Sequence, residues 1–156
     1  MLIGGLPAHI LLVHGVVVFG PLAGLAAVVY GLAGRTRRYL AWPLGVLALI
    51  LAPMALITAQ AGEQLQATRG ATDAIQAHAR QGDILKIAAV VFFVVVVLLL
   101  AATFAPLAER IPALVSLQRS RPARIAALTL GVLAGLFVIY QSVITGHSGS
   151  FSVWGG

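Results

Sequence analysis

The sequence predicts an all-α protein: a bundle of four transmembrane helices running up and down, with both termini on the outer face of the membrane. Three observations predict it. Hydrophobic residues make up 60% of the 156 residues and charged residues only 9%, where a soluble domain carries roughly a quarter charged. Four long apolar runs alternate with polar, arginine-bearing connections. Each run reaches the length of about 20 residues that crosses a hydrocarbon layer about 30 Å thick. The length suits one transmembrane domain over residues 1–156.

The helices are expected at about 8–33, 40–60, 72–106 and 122–145. Pro7 suits a first helical turn, and Gly34 ends the first helix before Arg35. The second begins near Leu40, with Pro43 in its first turn. The third carries the run VVFFVVVVLLLAA and closes at Pro106. Its β-branched stretch Val94 to Val97 would read as a strand in water. Within lipid, backbone groups must bond inside their own segment, so a helix is the reading. Pro122 opens the fourth helix. Pro21 and Pro53 lie mid-span, where proline kinks a helix.

The second connection has its turn signal at Arg69-Gly70, and the third helix is expected to start near Thr72 and project beyond the bilayer. The stretch IPALVSL in the third connection suits the membrane interface. The start MLIGGLPAHILLVHG lacks the basic segment of a cleavable signal peptide.

Charge sets the orientation. Arg35, Arg37, Arg38, Arg110, Arg119, Arg121 and Arg124 flank one face of the membrane, with Glu109 their only acid. Arg69, Arg80 and Lys86 on the other face meet Glu63, Asp73 and Asp83. Basic excess marks the cytoplasmic side. The chain is therefore expected in a bacterial cytoplasmic membrane, with termini and second connection toward the periplasm or exterior. The net charge of +6 follows from this topology and indicates no nucleic-acid partner. The absence of cysteine excludes disulfides, thiolate metal sites and cysteine nucleophiles.

The chemistry gathers at the outer end. His9, His14, His78 and His147 all fall there once the chain folds up and down, with Glu63 and Asp83 nearby. Gln60, Gln141, Ser142 and Ser148 share that end, while the middle and inner parts of the helices hold almost no polar side chains beyond Thr103 and Thr129. Polar groups in lipid are costly, so their confinement to one end marks a site and leaves no polar path for a channel. His9 and His14 are five residues apart and point about 140° away from one another, so they do not chelate one ion as an i, i+4 pair would.

Neutral imidazole suits iron, copper, zinc and nickel, and helix bundles hold such sites between facing helices. Heme b with two axial imidazoles is the first expectation, with electron transfer as the task and a redox protein as partner. His14 and His78 lead as ligands, followed by His147 and His9. Glu63 and Asp83 would orient imidazole N–H groups. Arg80 and Lys86 would meet the heme propionates. The alternative is zinc, copper or non-heme iron with the acids as direct ligands. Zinc with an open position is the hydrolytic version. The bland reading is an accessory subunit whose histidines sit at headgroup level. Gly20, Gly24, Gly131 and Gly135 allow close helix packing, within the bundle or in a homo-oligomer.

GLPAHILLVHGVVVFGPLAGLAA resembles the opening of bacterial membrane proteins of domain-of-unknown-function family 2231, actinobacterial type, where the pattern is close to G-L-P-x-H-P-x-x-V-H. The resemblance continues through TAQAGEQL, HARQGD and ITGHSGSFSVW, and so covers essentially the whole chain. It departs at Ile10, where that family carries proline. It implies that His9, His14, Glu63, His78, Asp83 and His147 are recurring polar positions. Family members occurring with Rieske-type redox domains tilt the expectation toward redox chemistry.

Overall fold

The computed structural model describes residues 2–3, 6–69 and 72–154, with side chains for 8–68 and 72–152. It is the all-α bundle that the composition implies. Four helices are long and apolar enough to cross a membrane: α1 (Ala8–Leu32), α2 (Arg37–Arg69), α3 (Asp73–Thr103) and, after two short helices, α6 (Arg121–Trp154). The short ones are α4 (Ala105–Arg110) and α5 (Leu114–Arg119). Before α1, β1 (Leu2–Ile3) and β2 (Leu6–Pro7) pair antiparallel over two residues each. The Arg69-Gly70 turn signal lies outside the described residues at Gly70.

The long helices form a ring in which α1 packs on α2 and α6, and α3 packs on α2 and α6. Short connections make ring neighbours antiparallel, so both chain ends fall at one end of the bundle. This is the histidine end. The opposite, arginine-rich end carries α4, α5 and the 3-10 turn Gly34–Thr36.

Helices α2 and α6 run well past their apolar spans, to Arg69 and Trp154. At 1.5 Å per residue each is about 50 Å long, some 20 Å more than the hydrocarbon core. The polar ends continue as helix because outside lipid they still bond their own backbone. Helix α2 also starts earlier than its apolar run, at Arg37, which places Pro43 inside the helix rather than in its first turn. Helix α3 ends before Pro106. Continued helix would drive that proline ring into the Ala102 carbonyl, so Phe104 adopts an extended conformation and α4 starts anew with Pro106 in its first turn.

The core is apolar and tightly filled. Tyr30, Leu44, Leu51, Phe92, Val96, Leu99 and Val138 are fully buried along the ring's axis. Leu25, Leu49, Ile87, Val94 and Leu133 are exposed, the expected face toward lipid chains. With apolar groups on both sides of each helix, association rests on packing contact rather than on escape from water. The closest approach is between α1 and α6. A Cβ on Gly24 would stand 2.5 Å from the Gly135 carbonyl oxygen, and one on Gly135 would stand 2.7 Å from that of Gly24. Likewise Gly131 receives Leu99 and Gly20 receives Ser142. These glycine faces are used up inside the bundle.

Side-chain caps close the arginine-rich end. Arg37 donates to the Tyr30 and Gly31 carbonyls, both at 3.1 Å, at the C-terminus of α1. The Gln118 amide donates to Ala101 O at 3.0 Å and Phe104 O at 2.9 Å, capping α3 and holding α5 beneath it. The Tyr30 and Thr103 hydroxyls bond at 2.8 Å across α1 and α3.

Candidate functional site

The buried polar side chains of the described residues are Thr58, Gln141, Ser142 and Thr145. All belong to the half of the bundle that leads to the histidine end. Two of them, Thr58 and Thr145, line a small cleft there between α1, α2, α3 and α6. Its volume is about 40 Å³. His9 and His78 also line it, over an apolar floor that includes Val13, Val16, Ala55 and Leu85.

His9 is the second residue of α1 and is half-buried against α2. Its Nδ1 lies 2.9 Å from the Thr58 carbonyl oxygen. A carbonyl only accepts, so Nδ1 carries the proton and donates it. In the neutral ring the lone pair then stands on Nε2. Gly62, one turn beyond Thr58, makes the approach feasible. A Cβ there would stand 3.0 Å from both Cε1 and Nδ1 of the imidazole.

His78 repeats the arrangement between α3 and α6. Its Nδ1 lies 3.1 Å from Ser148 Oγ. The serine proton is engaged, since Ser148 Oγ donates to the Thr145 carbonyl at 2.9 Å. The serine oxygen therefore accepts from His78, and Nε2 again carries the lone pair. Gly149 supplies the space: a Cβ there would stand 3.0 Å from His78 Cε1. The two imidazoles meet edge to face, with centroids 6.1 Å apart and planes at 71°.

A polar brace fixes α6 to α3 beside this pair. The Gln141 amide donates to Gln81 Oε1 at 2.8 Å and Gln81 O at 3.2 Å, and Thr145 Oγ1 donates to the same carbonyl at 3.2 Å. Gln81 is one turn from His78, so the brace sets the register of that histidine. At the mouth, Lys86 Nζ stands 2.7 Å from Asp83 Oδ1 and 3.8 Å from Glu63 Oε1. Both carboxylates are mainly exposed. Of these three charged side chains, Lys86 is the one that lines the cleft.

The other two histidines stand apart from the cleft. His14 is exposed and its Nδ1 bonds the Ile10 carbonyl of its own helix at 2.6 Å. His147 is exposed on α6, where its carbonyl accepts from Ser150 Oγ at 2.8 Å. Arg80 and Gln60 are also exposed. The structure thus brings His9 and His78 together, with Lys86 also lining the cleft and Glu63 and Asp83 paired to that ammonium. Among the described residues no group of three or more histidine, aspartate or glutamate side chains converges on a metal-sized position.

Thr58, Gly62, Thr145 and Gly149 stand against His9, His78 or their cleft, places that the sequence did not assign to them. A signal was present for one pair: Thr58 and Gly62 are four apart in TAQAG, so a carbonyl and a gap in the side-chain surface share one helix face. No protein-family model, curated protein or solved structure matches this chain.

Proposed function

We propose that this integral membrane protein binds a single transition-metal ion between His9 and His78 at the histidine end of its bundle. The observation that carries the reading is the pair of imidazoles. Each is tied through Nδ1 to a protein oxygen, and each keeps an Nε2 lone pair. Metal-bound histidines are oriented in this way by a carbonyl or hydroxyl behind them. With metal–nitrogen distances of about 2.0–2.1 Å, two imidazoles sharing one ion hold their centroids roughly 5–6.5 Å apart. The observed 6.1 Å falls in that interval.

Copper is the first candidate, because it stands highest in the affinity order for nitrogen sites. Electron transfer with a redox partner is the task such an ion would serve on the periplasmic or exterior side. Zinc is the second candidate, with Glu63, 3.8 Å from the Lys86 ammonium, as the acid of a hydrolytic version. The cleft of about 40 Å³ suits a bare ion with a water rather than the macrocycle of heme b. Heme would require the bundle to open at this end. The resemblance to domain-of-unknown-function family 2231 includes His9 and His78 among its recurring polar positions, beside His14 and His147, and membership of that family is part of the proposal.

The test is metal binding by the detergent-purified protein, with copper(I), copper(II) and zinc titrated against a chromophoric chelator. One equivalent of ion is expected, lost in His9→Ala and in His78→Ala and kept in His14→Ala and His147→Ala. Stoichiometric binding that survives both His9→Ala and His78→Ala would sink the proposal. A visible spectrum with a Soret band in protein from heme-supplied cells would replace the bare ion with heme.

A further inference from the structure

The charge distribution assigns a second ligand surface, at the other end of the molecule. Seven arginines against Glu109 leave six positive charges at the arginine-rich end, while the three cations and three carboxylates of the histidine end cancel. The whole net charge of +6 therefore stands on one face. Arg37 is engaged with helix carbonyls. Arg35, Arg38, Arg110, Arg119, Arg121 and Arg124 are exposed, and among the described residues none has a carboxylate within ion-pair distance. An arginine in water alone needs no partner. Six of them held together at a membrane surface repel one another and attract anions.

This surface is held in place by the fold. Gln118 secures α5 under the end of α3 by its two carbonyl bonds, which keeps Arg110 and Arg119 near the Arg121–Arg124 turn that opens α6. Trp42 and Tyr39 are exposed in the first two turns of α2, which starts at this end. The Trp42 ring packs edge-on against Phe104 at 6.3 Å, at the junction of α3 and α4. Arg38 lies one turn before Trp42 and so shares its helix face. Aromatic rings at headgroup depth beside uncompensated guanidinium groups match the layered chemistry of a phospholipid headgroup: apolar chains below and phosphate oxygens above. Guanidinium also takes phosphate through two parallel hydrogen bonds, where an ammonium offers a point charge.

We infer that the arginine-rich end is a docking surface for anionic phospholipid headgroups, which it gathers around the bundle in preference to zwitterionic ones. Trp42 is the natural reporter, since the chain has two tryptophans and Trp154→Phe leaves it alone. The Trp154→Phe protein is reconstituted into phosphatidylcholine vesicles containing a minor fraction of brominated lipid. That lipid is phosphatidylglycerol in one series and phosphatidylcholine in the other. Quenching of Trp42 by the anionic quencher is expected at threefold or more that of the neutral one at equal fraction. The excess should fall by half or more when Arg110, Arg119, Arg121 and Arg124 are all changed to glutamine, which leaves Arg35 and Arg38 in place. Equal quenching by the two lipids overturns the inference, as does an excess that the four glutamines leave intact. If that variant does not insert, salt decides on the Trp154→Phe protein itself. At about 1 M salt the Debye length falls to about 3 Å, and the excess must shrink. An excess indifferent to salt refutes the headgroup reading. An excess abolished by inorganic phosphate at constant ionic strength would assign the surface to free phosphate instead.

Discussion

Replacing Gly62 with alanine separates the role of the glycine in the site from its cost in the helix. The new methyl would stand 3.0 Å from two atoms of the His9 ring, tighter than ordinary contact, so the ring must move by some tenths of an ångström. The move strains the bond from Nδ1 to Thr58 O, which contributes about 0.5–1.5 kcal/mol. Against that, alanine in a helix interior is favoured over glycine by roughly 0.5–1 kcal/mol. The two nearly cancel, and the melting temperature should move by no more than about 4 °C. Metal affinity should respond far more, falling about 10- to 100-fold, as when the group that orients a ligand is removed. Gly45→Ala, on the same helix and outside the cleft, is the internal control. A Cβ there would stand 3.4 Å from Leu100 Cδ1, an ordinary contact, so the same change should raise stability by up to about 1 kcal/mol and leave affinity as it was. The assay is a chelator-competition titration beside a circular-dichroism melt in detergent. Equal affinities for Gly62→Ala and the parent would refute the reasoning, because His9 would then not be the ligand whose position Gly62 allows.

Three further outcomes are expected. Gly24→Leu should disrupt the bundle, since even its Cβ would lie 2.5 Å from the Gly135 oxygen; overpacking of this kind costs about 1–3 kcal/mol or more, read as a lowered melting temperature, with Gly34→Leu unaffected because its surroundings are open. Tyr30→Phe should lose the hydroxyl bond to Thr103 and about 1 kcal/mol, measured by thermal unfolding. Ser142→Ala should be neutral or stabilising by up to about 1 kcal/mol in the same assay, because the Ser142 hydroxyl is buried without a hydrogen-bond partner among the described residues.

Much of the fold was legible because lipid imposes few solutions. The four apolar runs became α1, α2, α3 and α6, and the break before α4 fell where Pro106 forbids continued helix. Helix ends were less legible. Hydropathy marks where lipid stops, whereas the extensions of α2 to Arg69 and α6 to Trp154 depend on polar segments that remain helical in water. In the site, Glu63, Asp83 and the histidines stood out by residue type alone. The order among the histidines did not. His14 and His78 stood first as candidate ligands; His14 is exposed, and His9 lines the cleft with His78. Depth comes from counting residues, but direction comes from how the helix is rotated. The five-residue spacing required the two to diverge, and nothing in it chose which would turn inward.

By itself the sequence pointed to lipid as the solvent and gave the number of long apolar helices, their alternation and the separation of histidine from arginine ends. Each of these follows from composition, a 30 Å hydrocarbon layer and the need of backbone groups to bond one another inside it. Only the tertiary structure decided that His9 meets His78 and that Gly62 and Gly149 make room for them. It also decided that the Gly24 and Gly135 faces are spent inside the bundle. The physical reason is that helix rotation is set by packing. The Gly24–Gly135 approach and the Gln141–Gln81 brace lock the helices against one another, and the direction of every side chain at the histidine end follows from those contacts.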